Sequence, residues 1–181
     1  MIIFGIDPGT ACTGYGVIKV VNNSISWVDS GVVMPGRTGL ELSERLEIIY
    51  DGLREKMLEH EPDRVCIEEA FYAKNVHTTL ILGHARGVAM LAASKTGATV
   101  HEYSPREIKK MVTGSGNAAK EQVEYMVKML ISPPCLHSKS DAYDALAIAI
   151  CDFHCNRHNR LIGKFAHQKI KRHTTVRKRC R

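Results

Sequence analysis

The chain has 181 residues, 44% hydrophobic and 24% charged. That is enough apolar material for one core in a single compact domain, and it excludes wholesale disorder. Lys and Arg number 25 against 19 Asp and Glu, a formal charge of +6. The excess is uneven: residues 156–181 hold ten basic groups and no acid, so the 155 before them are net acidic, although 70–128 hold eight basic groups against four acidic. A basic middle and a basic tail on an acidic body point to a polyanionic partner. No run approaches the ~20 apolar residues of a membrane span, so no membrane association is expected. The opening MIIFGID lacks the basic region of a signal peptide. The six cysteines, at 12, 66, 135, 151, 155 and 180, form no C-x-x-C pair. They are read as free thiols, and the expected location is the cytoplasm.

In chain order, Ile2–Ile6 is a short apolar run stopped by Asp7-Pro8-Gly9 and reads as a buried strand. Gly14–Val20 and Ile25–Met34 are β-rich and separated by Asn22-Asn23-Ser24, a hairpin signal. Leu42, Leu46, Ile49, Leu53 and Met57 recur at helical spacing, and Pro62-Asp63 ends that helix. Arg64–Glu68 is a fourth strand, and 77–95 a helix rich in Gly and Ala. Thr99–Tyr103 is a fifth strand. Pro105 suits the first position of a helix running to Val112, and Gly114-Ser115-Gly116 bends the chain into another over Ala118–Leu130. A last helix covers 141–156, opening at Ser140. Three antiparallel strands followed by α/β alternation predict a five-stranded mixed sheet flanked by helices. The expected organisation is a domain over 1–155 and a basic, flexible tail over 156–181.

Carboxylates occupy unusual places in this plan. Asp7 ends the first strand, Glu68 and Glu69 end the fourth, and Asp141 and Asp144 fall in the first turn of the last helix. If the first and fourth strands are parallel neighbours, Asp7 and Glu68 meet at the sheet edge where α/β proteins collect ligands. Positions i and i+3 share a helix face, so Asp141 and Asp144 present their carboxylates together. A self-repelling acidic group of this kind needs a cation, and all-oxygen ligands suit Mg²⁺ or Mn²⁺. The competing explanation for Asp141 and Asp144 is the helix dipole, which favours acids in a first turn.

Gly5-Ile6-Asp7-Pro8-Gly9-Thr10 with Thr13-Gly14-Tyr15-Gly16 resembles the opening of the RuvC Holliday-junction resolvases. Ile67-Glu68-Glu69-Ala70-Phe71 with Ala73-Lys74-Asn75, and Gly83-His84-Ala85-Arg86-Gly87-Val88-Ala89, are similar to that family's next two motifs. Lys109, Gly114, Gly116 and Lys120 fit its basic segment, and Ser140-Asp141-Ala142-Tyr143-Asp144-Ala145-Leu146-Ala147 resembles its last motif. The resemblance implies a ribonuclease-H-like fold and a homodimeric, Mg²⁺-dependent endodeoxyribonuclease, with Mn²⁺ as a substitute and two ions per site. Such an enzyme cuts two opposed strands of a four-way DNA junction in recombination and repair. By motif position, Asp7, Glu68, Asp141 and Asp144 would be the catalytic, metal-binding carboxylates. Lys74, Lys109 and Lys120 would contact nucleic acid, and Phe71 would enter the opened junction. RuvA and RuvB, the branch-migration proteins, would be partners. The tail is more basic than the resemblance accounts for.

Three other readings bear on these motifs. The opening also looks like the first phosphate motif of actin-like ATPases, but those need a second related domain, for which the chain lacks length and repeat. A non-enzymatic junction binder could dispense with the carboxylates. A nuclease acting on RNA-containing duplexes differs in the Phe71 segment.

Overall fold

The computed structural model describes residues 1–36, 39–69, 76–133 and 140–157. Strand β1 (Ile2–Asp7) is buried along most of its length, with Ile3, Phe4 and Ile6 wholly enclosed. That is the signature of a central strand covered on both faces. β2 (Thr13–Val21) and β3 (Ser24–Val33) continue the sheet as antiparallel neighbours. They turn at Asn22 and Asn23, whose φ of 48° and 67° is the left-handed pair a two-residue hairpin needs. Helix α1 (Leu42–His60) stops at Glu61, which takes a left-handed φ of 43° just before Pro62. The chain returns through β4 (Arg64–Glu68), which lies parallel to β1.

Helix α2 (Val76–Ser94) leads to β5 (Thr99–Tyr103), parallel to β4, and the sheet order is β3-β2-β1-β4-β5. Helix α3 (Pro105–Thr113) is capped by the Ser104 side chain and closed by Gly114 at φ 84°. Helices α4 (Lys120–Ile131) and α5 (residues 140–157) complete the order. The five-stranded mixed sheet and the flanking helices are those the sequence predicts. Phe71 and Lys74, Cys135, and residues 158–181 of the basic tail lie outside the described residues.

Strand alternation divides the apolar side chains into two cores. Phe4, Ile6, Val17, Val65 and Ile67 face α1 and α2, whereas Ile3, Ile18, Cys66 and Tyr103 face α3, α4 and α5. The Gly and Ala residues of α2 serve two different surfaces. Ala85, Ala89, Ala92 and Ala93 are buried, while Gly83 and Gly87 look into open space beside exposed Leu80 and Leu91. Helix α5 is apolar almost all round, as a helix enclosed between a sheet and other helices must be. It lies directly on β1 and β2. A Cβ on Gly5 would strike the Ala145 carbonyl, one on Gly14 the Asp141 carbonyl, and one on Gly16 the Leu146 backbone nitrogen.

Among the described residues no helix is long and apolar enough to cross a membrane. Cys12, Cys66, Cys151 and Cys155 are free thiols.

Candidate active site

Asp7 is the last residue of β1 and shares the α5-facing side of the strand with Ile3 and Gly5. The loop after it is fixed locally. The Thr13 hydroxyl donates to the Gly9 carbonyl at 2.6 Å, and the Arg45 guanidinium reaches the Thr10 carbonyl at 3.0 and 2.7 Å. Parallel pairing of β1 with β4 runs through Ile6 opposite Ile67, so the next step of the ladder sets Asp7 beside Glu68. Glu68 is on the same side of the sheet as Cys66, facing α5. The first turn of α5 supplies Asp141 and Asp144, and the close seat of the helix on Gly14 lowers Asp141 onto the end of β1.

Carboxylate oxygens of Asp7, Asp141 and Asp144 consequently lie within 4.8 Å of one another. Glu68 joins them through a side-chain hydrogen bond with Asp7. Burial, reinforced by the charges of Glu68, Asp144 and Asp141, pushes Asp7 up to about 8. The two carboxyls thus share a hydrogen bond that favours keeping a proton between them. Glu68 is also raised, chiefly by burial, with the shared hydrogen bond opposing the shift. Burial raises Asp144 too, against the Lys120 ammonium, whose Nζ stands 2.5 Å from Asp144 Oδ2. The protein thus supplies cations at the rim of this group, Lys120 on Asp144 and Lys109 towards Glu68, while Asp7 stays raised. Carboxylate oxygens held this close, and partly protonated for want of a counter-charge, fit a hard divalent cation.

Two basic residues singled out in the sequence reach the same place. Lys109 and Lys120 line a cleft of about 290 Å³ with Glu68 and Asp144. A second cleft of about 270 Å³, which shares Glu68 and Pro105 with the first, is lined also by Asp7, Glu69, Leu82 and Arg86. Arg86 is ion-paired with Glu102, and its Nε has no hydrogen-bond partner. Its place in the motif was visible in the sequence; its position at this rim was not.

A second group of possible ligands, Asp29, Glu59 and His60, also falls within 4.8 Å. There the charge is already met from within: Lys56 Nζ lies 2.8 Å from Glu59 and 3.5 Å from Asp29, and the Tyr15 hydroxyl donates to Asp29. Sequence reading missed one further acid, Asp152, which is wholly buried on α5. The Arg64 guanidinium holds it through two hydrogen bonds of 2.6 Å, and the Tyr103 hydroxyl donates to it at 2.7 Å. The available signal was an Asp inside the apolar run from Ala145 to Phe153.

Comparison with known proteins identifies the frame that carries these residues. The family model described as "Crossover junction endodeoxyribonuclease RuvC" matches residues 3–152. The crossover junction endodeoxyribonuclease RuvC of Ruminiclostridium cellulolyticum is 43% identical over 163 residues, 90% of this chain and 98% of the relative. That of Legionella pneumophila is 48% identical over 163 residues, 90% of this chain and 92% of the relative. Among solved structures, T. thermophilus RuvC in complex with Holliday junction substrate superposes with a TM-score of 0.80 at 30% identity, covering 88% of this chain and 96% of that one. The fold is therefore ribonuclease-H-like. With the family model spanning nearly the whole described domain and relatives matching over nine-tenths of the sequence, this chain belongs to the RuvC family of crossover junction endodeoxyribonucleases, enzymes that hydrolyse phosphodiester bonds within DNA.

Proposed function

We propose that the enzyme resolves four-way DNA junctions by hydrolysing one phosphodiester in each of two opposed strands, and that Asp7, Glu68, Asp141 and Asp144 form its metal site. The observation that carries this reading is the convergence of carboxylates from β1 and α5 within 4.8 Å, with Glu68 of β4 bonded to Asp7. An all-oxygen set suits Mg²⁺, with Mn²⁺ as a substitute, and four carboxylates are enough for two ions. Ions bound there would lower the pKa of an attacking water and stabilise the leaving 3′ oxygen, so that no side-chain nucleophile is needed. Asp7, raised to about 8 without a metal, would give up its proton as the site fills.

Lys109 and Lys120 would meet phosphate oxygens, a reading supported by the cleft they line with Glu68 and Asp144. Phe71 would stack in the opened junction and Lys74 would contact the strand, a reading carried by their motif positions. A homodimer, with one site per protomer, is the simplest way to cut two opposed strands. The open face of α2 around Gly83 and Gly87 is the surface we assign to it. RuvA and RuvB are the proposed partners and the cytoplasm the proposed location. The tail over 156–181 would add sequence-independent affinity by releasing counterions, so its removal should flatten the salt dependence on linear and branched DNA alike.

The testing experiment compares a synthetic four-way junction, a linear duplex and an RNA–DNA hybrid as substrates with Mg²⁺ present. Paired nicks confined to the junction are expected. Equal or faster cutting of the hybrid would overturn the proposal.

A further inference from the structure

We infer that Asp152, gripped by Arg64 and Tyr103, is a positioning residue that sets the register of α5 on the sheet and so holds Asp141 and Asp144 level with Asp7 and Glu68. The inference rests on reading those four carboxylates as a metal site.

The contact that brings α5 onto the sheet is close, with Leu146 against Gly16 and the apolar side chains of α5 sharing a core with Ile3 and Ile18. Gly5, Gly14 and Gly16 form its floor, and Ala145 and Ala149 lie against Gly5. Apolar packing of this kind is non-directional: it favours burial of the helix face without naming one polar partner for one position. The helix also carries, at its first turn, two carboxylates that are repelled by the two on the strands. A slip of one helical turn would move them by about 5.4 Å, more than the 4.8 Å within which the ligand oxygens now fall. A directional contact would add to the packing in opposing that slip.

Asp152 is suited to this. It is fully buried, and its two oxygens take the fork of Arg64 at 2.6 Å each, a planar, bidentate geometry with one register. Its grip reaches both ends of β4. Arg64 is the first residue of that strand, and Tyr103, whose hydroxyl donates to Asp152 at 2.7 Å, pairs in the sheet with Glu68, the last. The spacings agree. Asp152 follows Asp144 by eight residues, about 12 Å along a helix, and Glu68 follows Arg64 by four, about 13 Å along a strand. Fixing Asp152 on Arg64 therefore brings Asp144 level with Glu68. Asp141, eleven residues before Asp152, lies within about 20° of it around the helix, on the sheet-facing side.

The test uses the full-length protein and three variants: Asp152→Asn, Tyr103→Phe, and the triple Arg64→Met/Tyr103→Phe/Asp152→Leu. The triple variant replaces the polar cluster with apolar groups, an exchange that commonly preserves stability. Three quantities are read: thermal stability, junction affinity in EDTA, and the Mg²⁺ concentration giving half-maximal junction cleavage. The triple variant should melt close to the parent and bind the junction within twofold of it, yet need at least tenfold more Mg²⁺. Tyr103→Phe, which removes one hydroxyl, should need about threefold more. A folded triple variant with a Mg²⁺ midpoint within twofold of the parent would overturn the inference, because a purely structural role predicts that outcome. If Asp152→Asn does not fold, the other two variants decide. Asp7→Asn separates the two claims. Loss of metal-dependent cleavage in Asp7→Asn beside normal Mg²⁺ midpoints in the Asp152 set sinks the positioning role alone. Metal-independent cleavage by the parent sinks both.

Discussion

The two ends of α5 hold the same kind of residue in opposite electrostatic conditions. At the C-terminal end, Asp152 is wholly enclosed, yet its carboxyl is held below the usual range. Burial pushes it up, but the Arg64 and Tyr103 hydrogen bonds outweigh that. At the N-terminal end, Asp141 and Asp144 meet Asp7 and Glu68, and Asp7 rises to about 8 because burial and three neighbouring acids act together. One end is satisfied within the fold. The other has only Lys109 and Lys120 at its edge, and its carboxyls stay raised. That difference is what the proposed metal site at the second end requires.

The strongest way to break this contrast is to remove a ligand at the open end. Asp7→Asn keeps shape and hydrogen-bonding capacity but cannot ionise to hold a cation. Since a catalytic ion is worth several kcal/mol, junction cleavage should fall by at least about a hundredfold. Junction binding in a gel-shift assay should be retained or improved as repulsion of phosphate falls. Near-normal cleavage at saturating Mg²⁺ would remove Asp7 from the site.

At the closed end the expected loss is in stability. Asp152→Ala takes the partner from a partly buried guanidinium, which costs about 1.5–3 kcal/mol, read as a lowered midpoint in urea unfolding. An unchanged midpoint would mean that Arg64 finds water or another partner.

The pH dependence of metal-free stability should also differ between the ends. Asp7 binds its proton more tightly folded than unfolded, so its contribution is full below about pH 4 and is lost as pH rises towards 8. Asp152 behaves in reverse: its contribution is present above the ordinary Asp range and is lost as pH falls through its lowered value. In EDTA, the parent should lose stability relative to Asp7→Asn between pH 5 and 8. Saturating Mg²⁺ should cancel that loss. Parallel pH profiles for the two proteins would contradict the assignment.

The smallest effect belongs to Lys120, half-exposed and paired with Asp144. Lys120→Ala should reduce the log–log salt slope of DNA binding by about 0.9, the share of one phosphate contact on duplex DNA. Stability should change by less than about 1 kcal/mol, as for most exposed pairs. An unchanged slope would take Lys120 off the phosphate path.

What could be read from the sequence follows from the range of the interactions. The strands and helices were legible because turn residues and apolar periodicity are local. The meeting of Asp7 with Glu68 was legible because it needs only one topological step, β1 parallel to β4. Lys109 and Lys120 were found by motif and share a cleft with Glu68 and Asp144. Asp152 escaped because its partners, Arg64 and Tyr103, stand 88 and 49 residues away. Nothing in an apolar helical run marks one Asp as paired. The glycine floor escaped for a related reason: Gly5, Gly14 and Gly16 were visible as motif letters, but their purpose lies in what rests on them.

The central claim is that the open end of α5 is a divalent-metal site, and direct counting of Mn²⁺ by electron paramagnetic resonance tests it without reference to cleavage. Titration of the parent should show two saturable ions per protomer, and Asp7→Asn should lose at least one of them under the same conditions. Equal stoichiometry and affinity in the two proteins would place the metal elsewhere and contradict the account.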